Sequence, residues 1–441
     1  MPKTPNERGI PRRGLLGAAA AAAALRSPAN AGQASQVPAA PPARGHFFSD
    51  PSFDFSVWID LGSSYYGVGN PGKLIALTQA ITDGDSESAF QAFHAANAEA
   101  RGWAEDAARR GHRVSARQAW LWAAKHSAAA LRFLDGTADT SRLLPTFRQY
   151  AECWAAAAAL FDPPVERVEI PYEGAALTGW FYRVDATARR RPLVILNNGA
   201  DGLDVSSYVL GVAGGLARGY NCLSFNGPGQ GDSLWIRKLY FRPDWEKVIT
   251  PVVDFALRHP EVDPKHIALI GVSQGGYWVA RALAFEHRIA AGVLDPGVWN
   301  VADPWIRNLP PFMRDTLDQG KKEDFDAKMA MGLKLNPKSK IMLDFRMRPY
   351  GFSSYYDAFR AVRDYNLKDL AGEIRCPLLV ADPESEQFFP GQSRQLFDML
   401  RSPKTLVAFT RAEGADLHCE LNAPGYRDFR IYNWLDDTLR A

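Results

Sequence analysis

Ser273 stands in Gly271-Val272-Ser273-Gln274-Gly275, a G-x-S-x-G pentapeptide. The apolar run His266–Ile270 leads into it, and a helical pattern through about Phe285 follows. Strand, sharp turn, helix is the context in which this spacing presents a serine as a nucleophile. The turn holds the serine in a strained backbone conformation. Side chains at 271 and 275 would collide with the neighbouring strand and helix, so both positions are glycine. The hydroxyl is lifted clear, and the helix start offers backbone N–H groups and a favourable dipole to an oxyanion. The chemistry this arrangement serves is attack on a carbonyl carbon.

A neutral serine is a poor nucleophile and needs a base within hydrogen-bond reach. With a nucleophile turn of this kind the chain order is serine, acid, histidine. Of the eight His residues only His287 and His418 follow Ser273. His287 ends the helix that starts at Ser273, about a dozen residues away at a rise of about 1.5 Å each. His418 lies in the polar loop Ala412–Glu420, just after the last expected strand, and is the expected base. The acid should follow the strand Pro377–Ala381, where Asp382, Glu384 and Glu386 qualify by position; Asp295 is a further alternative. An oxyanion hole would take the N–H of Gln274 and a second N–H from the loop Asn198-Gly199-Ala200-Asp201-Gly202. Gly199 lets that backbone approach closely, so the second donor is the N–H of Ala200 or Asp201.

Elements that could hold these residues are legible in the pattern. Glu166–Pro171 and Leu177–Tyr182 read as a hairpin around Glu173-Gly174. Pro192–Asn197, Asn221–Phe225, His266–Ile270, Ala291–Leu294, Pro377–Ala381 and Thr405–Phe409 are short and strongly apolar, as buried parallel strands are. With helices between most of them, they predict an eight-stranded, mostly parallel α/β sheet covered on both faces. Upstream, Ile75–Ile81, Ser88–Arg109, Ser115–Leu134 and Leu143–Leu160 carry apolar residues at helical spacing. They define a helical domain over 53–161 ahead of the sheet domain 162–441, with Trp103, Trp120, Trp122 and Trp154 expected in its core. The interval 299–370 is too long for a plain crossover and is rich in aromatics, among them Trp299, Trp305, Phe312, Phe345, Tyr350, Tyr355 and Tyr356. It reads as a helical lid. Gly227-Pro228-Gly229-Gln230-Gly231 lacks the spacing of a dinucleotide loop and is expected to be structural.

From about Trp58 onward the chain resembles the α/β-hydrolases that carry an N-terminal helical domain. That group includes 2,6-dihydroxypseudooxynicotine hydrolase, the fungal polyketide-shortening pigment hydrolases and the fermentation-respiration-switch-like esterases. The residues carrying the resemblance are 109–136 (RRGHRVSARQAWLWAAKHSAAALRFLDG), 225–233 (FNGPGQGDS), 271–281 (GVSQGGYWVAR) and 386–393 (EQFFPGQS). Glu386, four residues before Pro390, resembles the acid-x-x-apolar-Pro pattern of the superfamily and is the leading acid, with Asp382 as the alternative. The resemblance implies a Ser273-Glu386-His418 triad, no metal or other cofactor, and a pocket between the sheet edge and the helical domain. It also implies cleavage of an ester or of a carbon–carbon bond next to a ketone. Two departures from the group are Glu in place of Asp, and Trp122, Lys125 and His126 where relatives tend to carry an Arg and paired aromatics.

The 441 residues are 46% hydrophobic and 23% charged, which excludes a disordered or collagenous chain. Lys plus Arg is 51 against 49 for Asp plus Glu, so there is no electrostatic case for nucleic acid or a membrane surface. Cys153, Cys222, Cys376 and Cys419 form neither a disulfide framework nor a metal motif. Residues 1–31 have the layout of an export signal of twin-arginine type, with Arg12-Arg13, the apolar run Gly14–Leu25 and Ala29-Asn30-Ala31. Residues 32–52 read as a linker, Pro/Ala-rich to about Gly45. The expectation is a periplasmic or secreted serine hydrolase for a small or medium organic substrate, compatible with a homodimer. The competing readings are a peptidase related to prolyl oligopeptidases, whose strand-built propeller has no counterpart here, and a non-catalytic binding protein on the same scaffold.

Overall fold

The computed structural model describes residues 45–440; the expected leader and most of the expected linker lie outside them. Eight strands form one sheet: β1 (Glu166–Tyr172), β2 (Ala175–Tyr182), β3 (Arg191–Asn197), β4 (Asn221–Phe225), β5 (Val262–Val272), β6 (Ala291–Asp295), β7 (Leu378–Pro383) and β8 (Lys404–Phe409). Their spatial order is β1-β2-β4-β3-β5-β6-β7-β8. β1 and β2 pair antiparallel, as does β2 with β4, and every later pairing is parallel. All eight expected strands are present.

Side chains alternate across the sheet and feed two cores. Leu193 and Ile195 of β3 face one side, together with Leu223 and Leu269; Val194 and Leu196 face the other, with Ala268 and Ile270. The first side is covered by α6 (Glu246–Ala256), α7 (Gly275–Leu283) and the lid helices α8 (Pro311–Asp318), α9 (Lys322–Lys334), α10 (Pro337–Met347) and α11 (Tyr355–Ala361). α12 (Gln392–Met399) joins this side through Leu396. Against the second side pack α5 (Leu143–Ala159), through the fully buried Trp154, and α13 (Pro424–Arg440), through Ile431 and Leu435. Each large apolar side chain fully buried in this way contributes about 1.5–3 kcal/mol.

The remaining upstream helices are α1 (Pro51–Ser63), α2 (Pro71–Ala80), α3 (Ser86–Arg109) and α4 (Arg113–Leu134). Phe53, Phe90, Phe93 and Phe133 give them a third core of their own. Two expectations change here. The expected linker spans 32–52, yet Phe48 is buried against Phe53 and Asp50 caps α1 by accepting from the N–H of Ser52 at 3.0 Å, so folded structure begins before residue 53. Trp103 is 45% exposed rather than core, because it sits on the outer side of α3, edge-on to Trp122 at 6.3 Å.

Register brings the relevant loops to one edge. Asn197 of β3 pairs with Gly271 of β5, and Val272 of β5 with Asp295 of β6. Pro383 of β7 pairs with Phe409 of β8. The segments following β3, β5, β6, β7 and β8 therefore emerge side by side at the C-terminal ends of the parallel strands.

Candidate active site

Ser273 has φ +58°, a left-handed conformation that non-glycine residues seldom adopt. The strain is imposed by close packing. A Cβ at Gly271 would meet the Gly275 carbonyl oxygen at 2.2 Å, and one at Gly275 would meet the Asn197 carbonyl oxygen at 2.6 Å. The Ser273 N–H donates to the Asp295 carbonyl at 2.6 Å, which ties the turn to the end of β6.

His418 Nε2 lies 2.8 Å from Ser273 Oγ, and His418 Nδ1 lies 2.6 Å from Glu386 Oε2. The other carboxylate oxygen, Glu386 Oε1, accepts from the N–H groups of Phe388 at 2.7 Å and Phe389 at 2.9 Å. Burial alone would push the Glu386 carboxyl up. The charge and hydrogen bond of His418, with the two backbone donors, outweigh burial and hold it below the ordinary glutamate value. Burial likewise opposes a charged His418. The Glu386 carboxylate, by charge and hydrogen bond, outweighs this and raises His418 above its ordinary value, with smaller contributions from Asp295 and Asp201. Ser385 locks the two loops together, its N–H donating to the Asp416 carbonyl at 2.8 Å and its hydroxyl to Asp416 Oδ2 at 2.7 Å.

The alternative acids are engaged elsewhere. Asp382 pairs with Arg394 at 2.8 Å, and Glu384 accepts from the N–H of Arg411 at 2.8 Å. Asp295 is fully buried on the far side of the turn, where it takes Arg427 Nε at 2.6 Å. Arg427 also donates to Asp428 at 2.9 Å and to the Leu210 carbonyl at 3.1 Å, and Tyr66 donates to Asp428 at 2.6 Å. Glu420 belongs to the same buried group. Burial first, then the charge of Asp295, drives its carboxyl well above the ordinary range. This cluster fastens α13 and the His418 loop beneath Ser273. His287 is exposed, beyond the end of α7.

The loop after β3 passes directly over the serine, since a Cβ at Gly199 would meet Ser273 Cβ at 2.7 Å. Gln230, which no sequence signal singled out, fixes this loop. Its side-chain amide donates to the carbonyls of Asn198 at 2.8 Å and Gly199 at 2.6 Å, while its Oε1 accepts from Gly227 N–H at 2.9 Å. In a trans peptide the N–H points opposite the carbonyl. Holding the Gly199 carbonyl toward Gln230 therefore turns the Ala200 N–H the other way. Gly199's own N–H is taken by the Asn198 side chain at 2.8 Å. The glycine-rich loop 227–231 is thus a buttress.

Two walls rise beside Ser273. From the lid, the buried Tyr350 accepts from the Gln274 side-chain amide at 3.3 Å and packs edge-on to Trp305 at 5.5 Å. From the helical layer, Phe55 of α1 reaches Phe388 at 5.8 Å, and Phe388 meets the His418 ring edge-on at 4.6 Å. The residues that depart from the group's pattern are occupied inside the helical layer. Lys125 pairs with the buried Asp60 at 2.9 Å, alongside Arg132. Trp122 donates to the Gly67 carbonyl at 3.1 Å. His126 is buried beside Phe93, and burial pushes it down to about 4, so it stays neutral.

Residues 193–424 match the model of the Alpha/beta hydrolase family. The chain is 30% identical to a Fusarium protein named Hydrolase LUC6, over 89% of this chain and 97% of that one. It is 28% identical to the 20-hydroxy-prefusarin hydrolase FUS2 of Gibberella moniliformis, again over 89% and 97%. Among solved structures, that of 2,6-dihydroxy-pseudo-oxynicotine hydrolase superposes with a TM-score of 0.68 at 20% identity, covering 86% of this chain and 95% of the other.

Proposed function

Because the chain belongs to the Alpha/beta hydrolase family, we propose that it is a serine hydrolase acting on a small or medium organic carbonyl compound. One observation carries the reading: His418 bridges Ser273 Oγ at 2.8 Å and Glu386 at 2.6 Å, inside a site that also holds Ser273 at a strained turn. Ser273 Oγ attacks the carbonyl carbon while His418 Nε2 takes its proton. Glu386 keeps the Nδ1–H tautomer and balances the imidazolium. The developing oxyanion is received by the N–H groups of Gln274 and Ala200, with Asp201 N–H as the alternative second donor. Loss of one such donor typically costs about 10²–10³-fold in rate. The tetrahedral intermediate then collapses. The bond to the leaving group breaks, His418 returns the proton to it, and the acyl group stays on Ser273. Water, deprotonated by His418, releases the acid.

The leaving atom is oxygen in an ester and, in a β-diketone, the carbon that departs as a carbanion stabilised by the second carbonyl. The same machinery serves both, because only the proton's destination differs. Similarity to a hydrolase named for 20-hydroxy-prefusarin supports an organic rather than a peptide substrate. The test is a matched panel of aryl ester, anilide and β-diketone, with Ser273→Ala as control. Turnover of the ester or the diketone that vanishes in the control supports the reading; equal turnover by the control refutes it. Residues 1–31 lie outside the described structure, and we read them as directing export to the periplasm or beyond.

A further inference from the structure

Four basic residues lie between Pro337 and Tyr350, and three are paired. Lys338 meets Asp50 at 2.9 Å, Lys340 pairs with Asp344 on its own helix, and Arg348 pairs with the buried Asp135. Arg346 has no carboxylate partner among the described residues.

Its position is unusual for an unpaired cation. Leu343, Arg346, Met347 and Tyr350 follow at spacings of three, one and three, which puts them on one face of α10 and the turn that extends it. The other three are each about 5% exposed. This face packs toward the nucleophile turn, since Tyr350 touches the Gln274 amide and stacks edge-on against Phe241 at 5.0 Å. A basic residue in a last helical turn favours the helix dipole. That accounts for an arginine on the outer side of the helix, not for one on the apolar stripe. Arg346 is half-buried, and burial depresses the guanidinium below its ordinary value, with Tyr350 the opposing influence. A side chain that simply extended into bulk water would not be desolvated. Tyr350 accepts from Gln274 and keeps its own hydroxyl hydrogen to donate.

We propose that Arg346 recognises a negatively charged oxygen on the substrate, a carboxylate or an ionised enol, while the scissile carbonyl lies against Ser273. The inference rests on the serine hydrolase reading and adds the substrate class to it. Guanidinium is the side chain suited to this task, because its planar donors match a two-oxygen anion and it stays charged when partly desolvated. Substrate binding would supply the counter-charge that the protein withholds, so a neutral analogue of the same size would leave the cation unpaired.

The experiment compares mono-4-nitrophenyl glutarate with 4-nitrophenyl pentanoate, which share the acyl chain length and the leaving group and differ in one terminal carboxylate. A β-diketone, assayed across its own ionisation, forms the second arm. The readout is the ratio of kcat/KM for the anionic over the neutral partner, which cancels any general loss in a variant. The wild type should favour the anion in at least one arm. Arg346→Gln and Arg346→Met should lower that ratio about 10- to 100-fold, chiefly through KM. Arg346→Lys should recover part of it. Preference confined to the glutarate identifies a carboxylate, and preference that tracks diketone ionisation identifies an enolate. A wild type without preference in either arm, or variants with an unchanged ratio, overturns the inference. Failure to turn over either ester or the diketone, with no labelling of Ser273 by a fluorophosphonate, would instead defeat the parent reading.

Discussion

Replacing Glu386 by Gln tests whether the carboxylate beside His418 sets the imidazole's tautomer. In the native site Oε1 accepts two backbone N–H groups, from Phe388 and Phe389, while Oε2 accepts from His418 Nδ1. A glutamine must keep its carbonyl oxygen on the two backbone donors, because its NH2 group there would face hydrogen against hydrogen. The NH2 is therefore forced toward Nδ1. His418 can satisfy it only as the other tautomer, with the proton on Nε2, where it points at Ser273 and cannot accept. The corresponding acid-to-amide change in a serine protease lowers kcat about 10⁴-fold. At about 1.36 kcal/mol per tenfold, a loss of that size corresponds to roughly 5.4 kcal/mol of transition-state stabilisation. We expect Glu386→Gln to lower kcat by that order on an aryl ester, with an unchanged circular dichroism spectrum. Asp382→Asn should stay within a few-fold, since Asp382 faces Arg394. A Glu386→Gln enzyme within tenfold of wild type, or the reverse ranking of the two variants, would show that Glu386 does not set the tautomer of His418.

Three further outcomes are expected. His418 must be neutral to accept a proton and its value is raised, so kcat/KM should fall as pH drops through a midpoint above 6.5; a midpoint at or below 6.5 counts against the Glu386–His418 coupling. Gln230→Ala, which frees the carbonyls of Asn198 and Gly199, should lower kcat about 10- to 100-fold with little change in KM, less than outright loss of an oxyanion donor; steady-state kinetics showing only a KM effect would remove Gln230 from that role. Changing both Arg12 and Arg13 to Lys should leave the protein in the cytoplasm with its leader attached, as read by fractionation and intact mass, and unaltered export would exclude the twin-arginine route.

Ser273, His418 and Glu386 were legible in the chain because topology and local spacing constrain them. A strained turn needs its glycines, and only one late histidine falls in a loop at the correct edge. Among the candidate acids a motif favours Glu386, and the structure places its side chain against His418, whereas Asp382 meets Arg394 and Glu384 the backbone of Arg411. The loop around Gln230 reads as structural in the sequence, but the task of Gln230 itself is to hold a peptide plane contributed by another loop, and no local spacing encodes that relation. Tyr350 stands out in the aromatic-rich interval and Phe55 carries no signal of its own; their approach to Gln274 and Phe388 follows from the packing of the lid and α1 over the sheet. Lys125 and His126 attracted notice as departures from the group and turned out to be occupied inside the helical layer. Asp50 before Pro51 is a helix-start signal that the Pro/Ala-rich composition ahead of it obscured.

Ser273, activated by His418, is the nucleophile on which the proposed function depends. The most direct measurement is intact mass after treatment with a fluorophosphonate, followed by peptide mapping. One adduct per chain is expected, located on Ser273, absent in Ser273→Ala and formed far more slowly in His418→Ala. A chain that hydrolyses its substrate yet carries the adduct elsewhere, or reacts equally fast without His418, would contradict the claim.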